Sequence, residues 1–365
     1  MTREELNAHA FVTVSGPRGT EDIGEGILVA RLSQNTYAVR DGIPIMFPGG
    51  LPSDFSSRYS SEIRETLDHP VVSTSGTRQA WSFSTQWQTH AELGVDRTWG
   101  FTAESRVEQM LLETCLPREF FRGKVLLDAG CGNGKLTQQI TTLGAETVGI
   151  DFSDSVVQAH ARRSSPNVHY VRGDLQRPPF AAGAFDVVVS NGVLHHTPNT
   201  ERAFQAVATC VRDGGAFYMW LYSKPESFVR RYLYYGGIDS VRAVASRLPP
   251  GGKRAVARAA AYLARAKYQT SGKTVDSETF NELIIGLMDT LTPRWRHYHT
   301  PVEVARWYFE AGFGAPTVSH WDNPYGFGVV ATKQRLVATP GSNFDEQWSR
   351  RDAAKPPESL PAATA

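Results

Sequence analysis

The chain has 365 residues, of which 41% are hydrophobic and 21% charged, values close to globular averages that exclude a wholly disordered or fibrous protein. Lys and Arg number 38 against 37 Asp and Glu, a formal net charge of +1, so the chain as a whole is not built to hold a polyanion, and nucleic acid is disfavoured as its ligand. Cys115, Cys131 and Cys210 are too scattered for a disulfide framework or a metal cluster, no apolar run approaches a membrane span, and the opening MTREELNAHA lacks an apolar signal core; a cytoplasmic protein without metal is expected.

In chain order, residues 1–50 carry short β-type runs, Ile27 to Ala30 and Thr36 to Val39, split by Gly and Pro, and predict a small β domain. Residues 51–122 begin as a Ser-, Pro- and Gly-rich linker. They continue as an aromatic stretch with Trp81, Phe83, Trp87 and Trp99, then as a helix from Thr102 to about Cys115 with Val107, Met110, Leu111 and Thr114 on one face. From residue 123 to 335 strands and helices alternate: VLLDA, TVGID, VHYVRGD, FDVVVSN and GGAFYMWLY read as strands, with helices between them. A helix from Thr300 to Ala311 and two last strands, PTVSHW and GFGVVAT, complete the pattern. Such alternation predicts an α/β fold with a mainly parallel sheet covered on both faces. An insertion of about 223–299 interrupts it, and a disordered tail is expected over 336–365.

Charge is uneven. Between Lys224 and Lys273 eleven Lys and Arg stand against Glu226 and Asp239, +9 in this window and −8 in the rest of the chain.

The sharpest signal is Leu126 to Leu136, LLDAGCGNGKL, an apolar strand ending in Asp128, then Gly130, Gly132 and Gly134, then a helical pattern. Glycines there allow a tight turn and close approach of a ligand to backbone N–H groups. A phosphate-binding P-loop would need a hydroxyl after Gly134-Lys135, where Leu136 stands, and a dinucleotide fingerprint has a different glycine spacing. A third reading uses Asp128 to address an ammonium group. Asp151 ends the second strand, where a carboxylate can accept ribose hydroxyls, and Asp174 follows the third, placed to accept from adenine N6. Each acid alone reads equally as a helix cap; together they suit a ligand with ammonium, ribose and adenine but no phosphate, S-adenosylmethionine.

On these residues the sequence resembles the class I S-adenosylmethionine-dependent methyltransferases, from about Gly123 to Lys333 apart from the insertion. The family's first loop, D/E-x-G-x-G-x-G, matches Asp128 to Gly134 in full. The resemblance implies a Rossmann-like sheet of order 3-2-1-4-5-7-6 with the last strand antiparallel. It also implies a cofactor site of Asp128, Gly130, Cys131, Gly132, Gly134, Asp151, Phe152, Ser153, Asp174, Leu175 and Asn191. The segment Ser190 to His196, SNGVLHH, is similar to the branch of quinone and antibiotic-pathway enzymes. Its implied substrate is a small metabolite in natural-product biosynthesis.

Methyl transfer is an in-line displacement in which alignment dominates, and a hydroxyl nucleophile gains from a base. His195 and His196 follow the fourth strand and are the catalytic candidates, His195 favoured, with packing as the competing reading. Relatives that back such a histidine with an acid place it after the fifth strand, where this chain has Met219-Trp220-Leu221-Tyr222. The insertion reads as a lid in which Arg230 and Arg231 grip an anionic acceptor, as a surface for RNA or anionic lipid, or as a solvated helix face. Trp87, Tyr222, Tyr298 and His299 complete the candidate substrate contacts.

Residues 25–44 also resemble the small zinc ribbons that activate RNA and protein methyltransferases. The cysteines that would sit near Ala30 and Ser33 are absent, so a ribbon-like unit without zinc is expected, serving packing or a homodimer contact. An RNA or protein methyltransferase and a non-catalytic S-adenosylmethionine-binding subunit stay open as alternatives.

Overall fold

The computed structural model describes residues 11–13, 24–30, 35–47, 51–59, 80–97, 100–225, 227, 236–319 and 325–334. The linker beyond Tyr59, Trp99, Arg230, Arg231 and the expected tail lie outside them.

Four short strands open the chain, β1 (Phe11–Thr13), β2 (Gly26–Ala30), β3 (Thr36–Arg40) and β4 (Ile43–Met46), followed by helices α1 (Ser53–Arg58), α2 (Ala80–Glu92) and α3 (Ala103–Thr114). The α/β part then runs β5 (Val125–Ala129), α4 (Lys135–Thr141), β6 (Glu146–Asp151), α5 (Ser155–Ala161), β7 (Val168–Gly173), β8 (Phe185–Asn191), α6 (Thr200–Ala208) and β9 (Val211–Tyr222). Helices α7 (Gly236–Ala245), α8 (Pro250–Thr270) and α9 (Ser277–Leu291) form the insertion, and α10 (Pro301–Glu310), β10 (Thr317–Ser319) and β11 (Gly326–Thr332) close the fold. Where the sequence predicts a helix over 200–212, α6 stops at Ala208 and the chain is already extended from Val211.

Among the described residues eleven strands share one sheet, in the order β1-β2-β3-β4-β7-β6-β5-β8-β9-β11-β10. From β7 to β10 this is the expected 3-2-1-4-5-7-6, with β11 antiparallel to both neighbours. The N-terminal strands do not stand apart as a ribbon: β4 pairs parallel with β7, Ile45 opposite Arg172 and Met46 opposite Gly173. Edge hydrogen-bonding groups of β7 are thereby satisfied within the chain.

Both faces of the central strands are covered, which is why they read as continuous apolar runs rather than alternating ones. Period-two alternation still divides them. Leu126, Val187, Val189 and Tyr218 face Val107 and Met110 of α3 and Ile140 of α4, whereas Leu127, Val188 and Phe217 face Phe204 of α6 and Trp307 and Tyr308 of α10. Phe204 and Phe217 stack with ring centroids 5.2 Å apart and 4° between planes. The Tyr308 hydroxyl spends its hydrogen within the sheet, near the carbonyls of Phe217 at 3.1 Å and Val329 at 3.0 Å. A capping box between Thr300 and Glu303 sets the start of α10.

The insertion is stapled at its base. Lys224 N donates to the His299 carbonyl at 2.8 Å and His299 N to the Tyr222 carbonyl at 2.9 Å, so three helices leave and rejoin the sheet at one point of its carboxyl edge. Phe217→Ala is expected to cost about 3–5 kcal/mol, read as a lower urea midpoint at unchanged m-value; a loss under about 1 kcal/mol would contradict this core.

Candidate active site

The turn after β5 is held open by positive φ angles and by contacts that exclude a side chain. Gly130 (φ 97°) lies so close to Val193 that a Cβ would meet it at 2.3 Å. A Cβ on Gly132 (φ 53°) would meet Trp87 of α2 at 2.5 Å. Asp151, at the end of β6, ties the turn in place: its Oδ2 accepts from Gly132 N at 2.9 Å and its Oδ1 from Ser153 N at 2.8 Å and Ser153 Oγ at 2.6 Å. A carboxylate offers about four acceptor sites, so Oδ2 keeps capacity for a donor from the cavity. Asp174 accepts from Gln176 N at 2.9 Å through Oδ1, which leaves Oδ2 for a ligand. Burial and then the neighbouring Ser153 and Gly132 donors act in opposite senses on Asp151, and burial prevails, raising its carboxyl.

These groups line one cavity of about 1130 Å³ that also reaches α3, α9 and the segment after it. The volume exceeds the usual range for one small ligand and suits two side by side. Gly130, Cys131, Gly132, Asp151, Phe152, Asp174, Leu175 and Asn191 all reach its wall, as does Asp128. Gly134 instead serves as the N-cap of α4, and Ser153 is buried behind Asp151. Gln86 of α2, at the wall and 1% exposed, has a side-chain oxygen with no partner among the described residues, a buried acceptor that a ligand donor would satisfy.

Of the two adjacent histidines, His196 and not His195 lies at the cavity wall. His195 is fully buried, its ring centroid 4.1 Å from that of Tyr222 and 4.4 Å from that of His196 with the planes tilted by 41° and 60°, and does not reach the cavity. Burial pushes it well below the usual histidine range, and both its ring nitrogens are buried without a partner among the described residues. His196 does reach the cavity. Its Nδ1 lies 3.0 Å from the Trp295 carbonyl and its Nε2 3.5 Å from Asp289 Oδ1. Tyr222 donates to the other oxygen of Asp289 at 2.7 Å. The acid absent after β9 thus comes from α9, where sequence reading had no candidate. Burial pushes Asp289 up, but His196, Arg296 and the Tyr222 hydroxyl outweigh it and hold the carboxyl below its usual range.

Trp87 and Tyr222 line the cavity as expected, with Phe83. Tyr298 and His299 do not. His299 is turned toward α6 and α10, where Nδ1 donates to Glu303 at 3.2 Å and Nε2 accepts from Thr200 at 3.0 Å. The same segment instead presents Arg294, Trp295 and Arg296. Arg296 sits 4.2 Å above the Tyr222 ring. Among the described residues, no Lys or Arg of the basic window 224–273 lines the cavity; its guanidiniums come from Arg106, Arg172, Arg294 and Arg296. Arg230 and Arg231, the cations named for gripping the acceptor, lie outside the described residues.

Residues 127–219 match the family model described as a methyltransferase domain. Ubiquinone biosynthesis O-methyltransferases are similar: that of Albidiferax ferrireducens is 37% identical over 115 residues, 29% of this chain and 45% of the relative. That of Paraburkholderia phymatum is 33% identical over 136 residues, 35% of this chain and 55% of the relative. The chain therefore spans about half the length of the curated relatives it matches. Magnesium protoporphyrin IX methyltransferase from Synechocystis PCC 6803, solved with bound SAH, superimposes with a TM-score of 0.41 at 15% identity, covering 70% of this chain and 98% of that one.

Asp128 is 2% exposed and accepts from Thr137 at 2.6 Å; burial, aided by the charge of Asp151 and opposed by Thr137, pushes it up to about 7. A carboxyl raised in the native state favours folding fully below its unfolded value of 3.8, and that contribution is lost as pH rises toward 7. Asp128→Asn keeps the Thr137 bond and removes the charge. It is expected to raise the Tm of the ligand-free protein at pH 8, by on the order of 3 kcal/mol in stability, and to leave it unchanged near pH 4. An equal effect at both pH values would contradict the assignment.

Proposed function

We propose, from the premise that this chain carries a methyltransferase domain of the class I, S-adenosylmethionine-dependent family, that it methylates a hydroxyl oxygen of a small aromatic metabolite. The observation that supports this most is the meeting of two sets of residues in one cavity: the glycine turn with Asp151 and Asp174, and the His196–Asp289–Tyr222 group. O-methylation is also the activity for which the relatives are named. A place in natural-product biosynthesis rests on the resemblance of the Ser190–His196 segment.

The residues present fit the cofactor. Positive-φ glycines let a ligand approach the turn, Asp151 Oδ2 and Asp174 Oδ2 have acceptor capacity for hydroxyl and amine donors, and Gln86 offers a buried unpartnered oxygen. Asp128 faces the same space and would balance an ammonium group. Bound there, S-adenosylmethionine supplies a methyl group on a sulfonium whose thioether leaves without charge.

Protein groups then manage the acceptor proton. A carbonyl only accepts, so the 3.0 Å contact to Trp295 fixes the hydrogen of His196 on Nδ1. We assign the hydroxyl proton to Nε2, which lies 3.5 Å from Asp289 Oδ1; once there it points to that carboxylate, which stabilises the imidazolium, and the Tyr222 hydroxyl keeps the carboxylate oriented. Phe83, Phe101, Trp220 and Trp295 give the acceptor half flat apolar walls, suited to an aromatic ring. Arg294 and Arg296 lie on the same wall, and there we place an anionic substituent of the acceptor. Trp87 and α2 close over the turn and exclude water.

Methyl-labelled S-adenosylmethionine incubated with the protein and a size-fractionated extract is expected to place label in the small-molecule fraction; label in RNA or protein would contradict the proposal. With a phenolic acceptor so found, His196→Ala is expected to lower kcat/KM by about 10²–10⁴ at unchanged cofactor affinity. Asp289→Asn is expected to lower kcat/KM by about tenfold or more at unchanged cofactor affinity, because the imidazolium loses its facing carboxylate. An unchanged kcat/KM would assign Asp289 to folding alone.

A further inference from the structure

Among the described residues, the basic window sends no Lys or Arg to the cavity wall. Its described part, residues 236–275, holds eight Lys and Arg against Asp239 alone, and Asp239 is paired with Arg242 at 2.8 Å. Helix α8 contains five of these cations and no acid. Its buried side is narrow: Lys253, Ala257 and Ala261. A helix with one buried stripe ordinarily turns polar residues outward. Here the side opposite Ala257 and Ala261 presents Ala255, Ala259, Tyr262, Leu263 and Ala266, all exposed. Leu263 is 74% exposed and Tyr262 61%. Cations flank this apolar strip rather than cover it: Arg258 on one border and Lys267 on the other are exposed. Next to it, α7 exposes Val241 at 47% and Val244 at 65%, beside a shallow apolar groove completed by Leu248 and Val256. Arg247 at the end of α7 is exposed as well.

We propose that the outer face of α7 and α8 docks this protein onto an anionic lipid surface. The pattern is that of an interfacial helix, with an apolar strip to enter the headgroup boundary and basic borders to meet lipid phosphates. Charge decides between occupants. A second copy related by a two-fold axis would set the same cationic face against itself, and a nucleic acid would lay phosphates over Leu263, Tyr262 and Val244, which offer them nothing. Among the described residues no helix is long and apolar enough to cross a membrane, so the contact is peripheral. It adjoins the site, since Ile238 of α7 lines the cavity and α9, packed on α8, carries Asp289.

Co-sedimentation of the full chain with vesicles tests this, comparing phosphatidylcholine alone with phosphatidylcholine mixed with phosphatidylglycerol. Binding is expected on the mixed vesicles, about tenfold or more tighter than on the neutral ones, and weakening as salt rises. The Val244→Glu, Leu263→Glu double variant alters only exposed positions away from the cavity, so its affinity for S-adenosylhomocysteine stays unchanged and certifies its fold. It is expected to lose binding to the mixed vesicles by about tenfold. Absence of binding to anionic vesicles, equal binding to both lipids, or undiminished binding by the variant would overturn the proposal. Self-association of the wild type that the variant abolishes would overturn it in favour of a second copy.

Discussion

One hydrogen bond organises the site: the Gly132 amide to Asp151 Oδ2, 2.9 Å long. It joins the turn leaving β5 to the end of β6, two neighbouring parallel strands, and so fixes the shape of the sheet's carboxyl edge. Parallel strands that end together leave their last side chains and first loop amides pointing to one side. With Gly130 pressed on Val193 and Gly132 on Trp87, the turn cannot accept a side chain without displacing the loop after β8 or the covering helix. The cavity exists because the turn is held this tightly.

The second half of the site follows from a different constraint. The insertion must return to β9 where it left, through paired backbone bonds at Tyr222, Lys224 and His299. This return brings Asp289 of α9 beneath His196 and Tyr222, an acidic side chain 3% exposed that is tolerable only because three groups answer it. On the function proposed above, the proton-handling group draws on the core sheet and on the appendage together.

Much of this was legible in the residues. The β5 turn and the acids at the ends of β6 and β7 are local features, each read from a strand pattern and its last residue, and the core strand order followed from the resemblance they carry. What stayed hidden is what depends on side-chain direction or long sequence separation. His195 and His196 are adjacent, and only the short 3-10 turn over Leu194–His196 decides which faces the cavity. Asp289 lies 67 residues from Tyr222. Its one visible signal was an acid in line with the buried Ile285 and Met288 of an apolar helix, which calls for a buried partner. Net charge in a window says nothing of which way each guanidinium points, so Arg294 and Arg296 at the cavity wall have no signature in the charge count. The β character of the N-terminal strands was read correctly, but their pairing with β7 rests on register that no local pattern encodes.

Calorimetric titration with S-adenosylhomocysteine of the wild type and of Asp151→Ala tests the central claim most directly. The account predicts one site per chain for the wild type and an affinity about a hundredfold weaker, or lost, in a variant that still folds, since a ligand donor and the turn itself both lose their acceptor. Unchanged affinity in Asp151→Ala would contradict the account at its foundation.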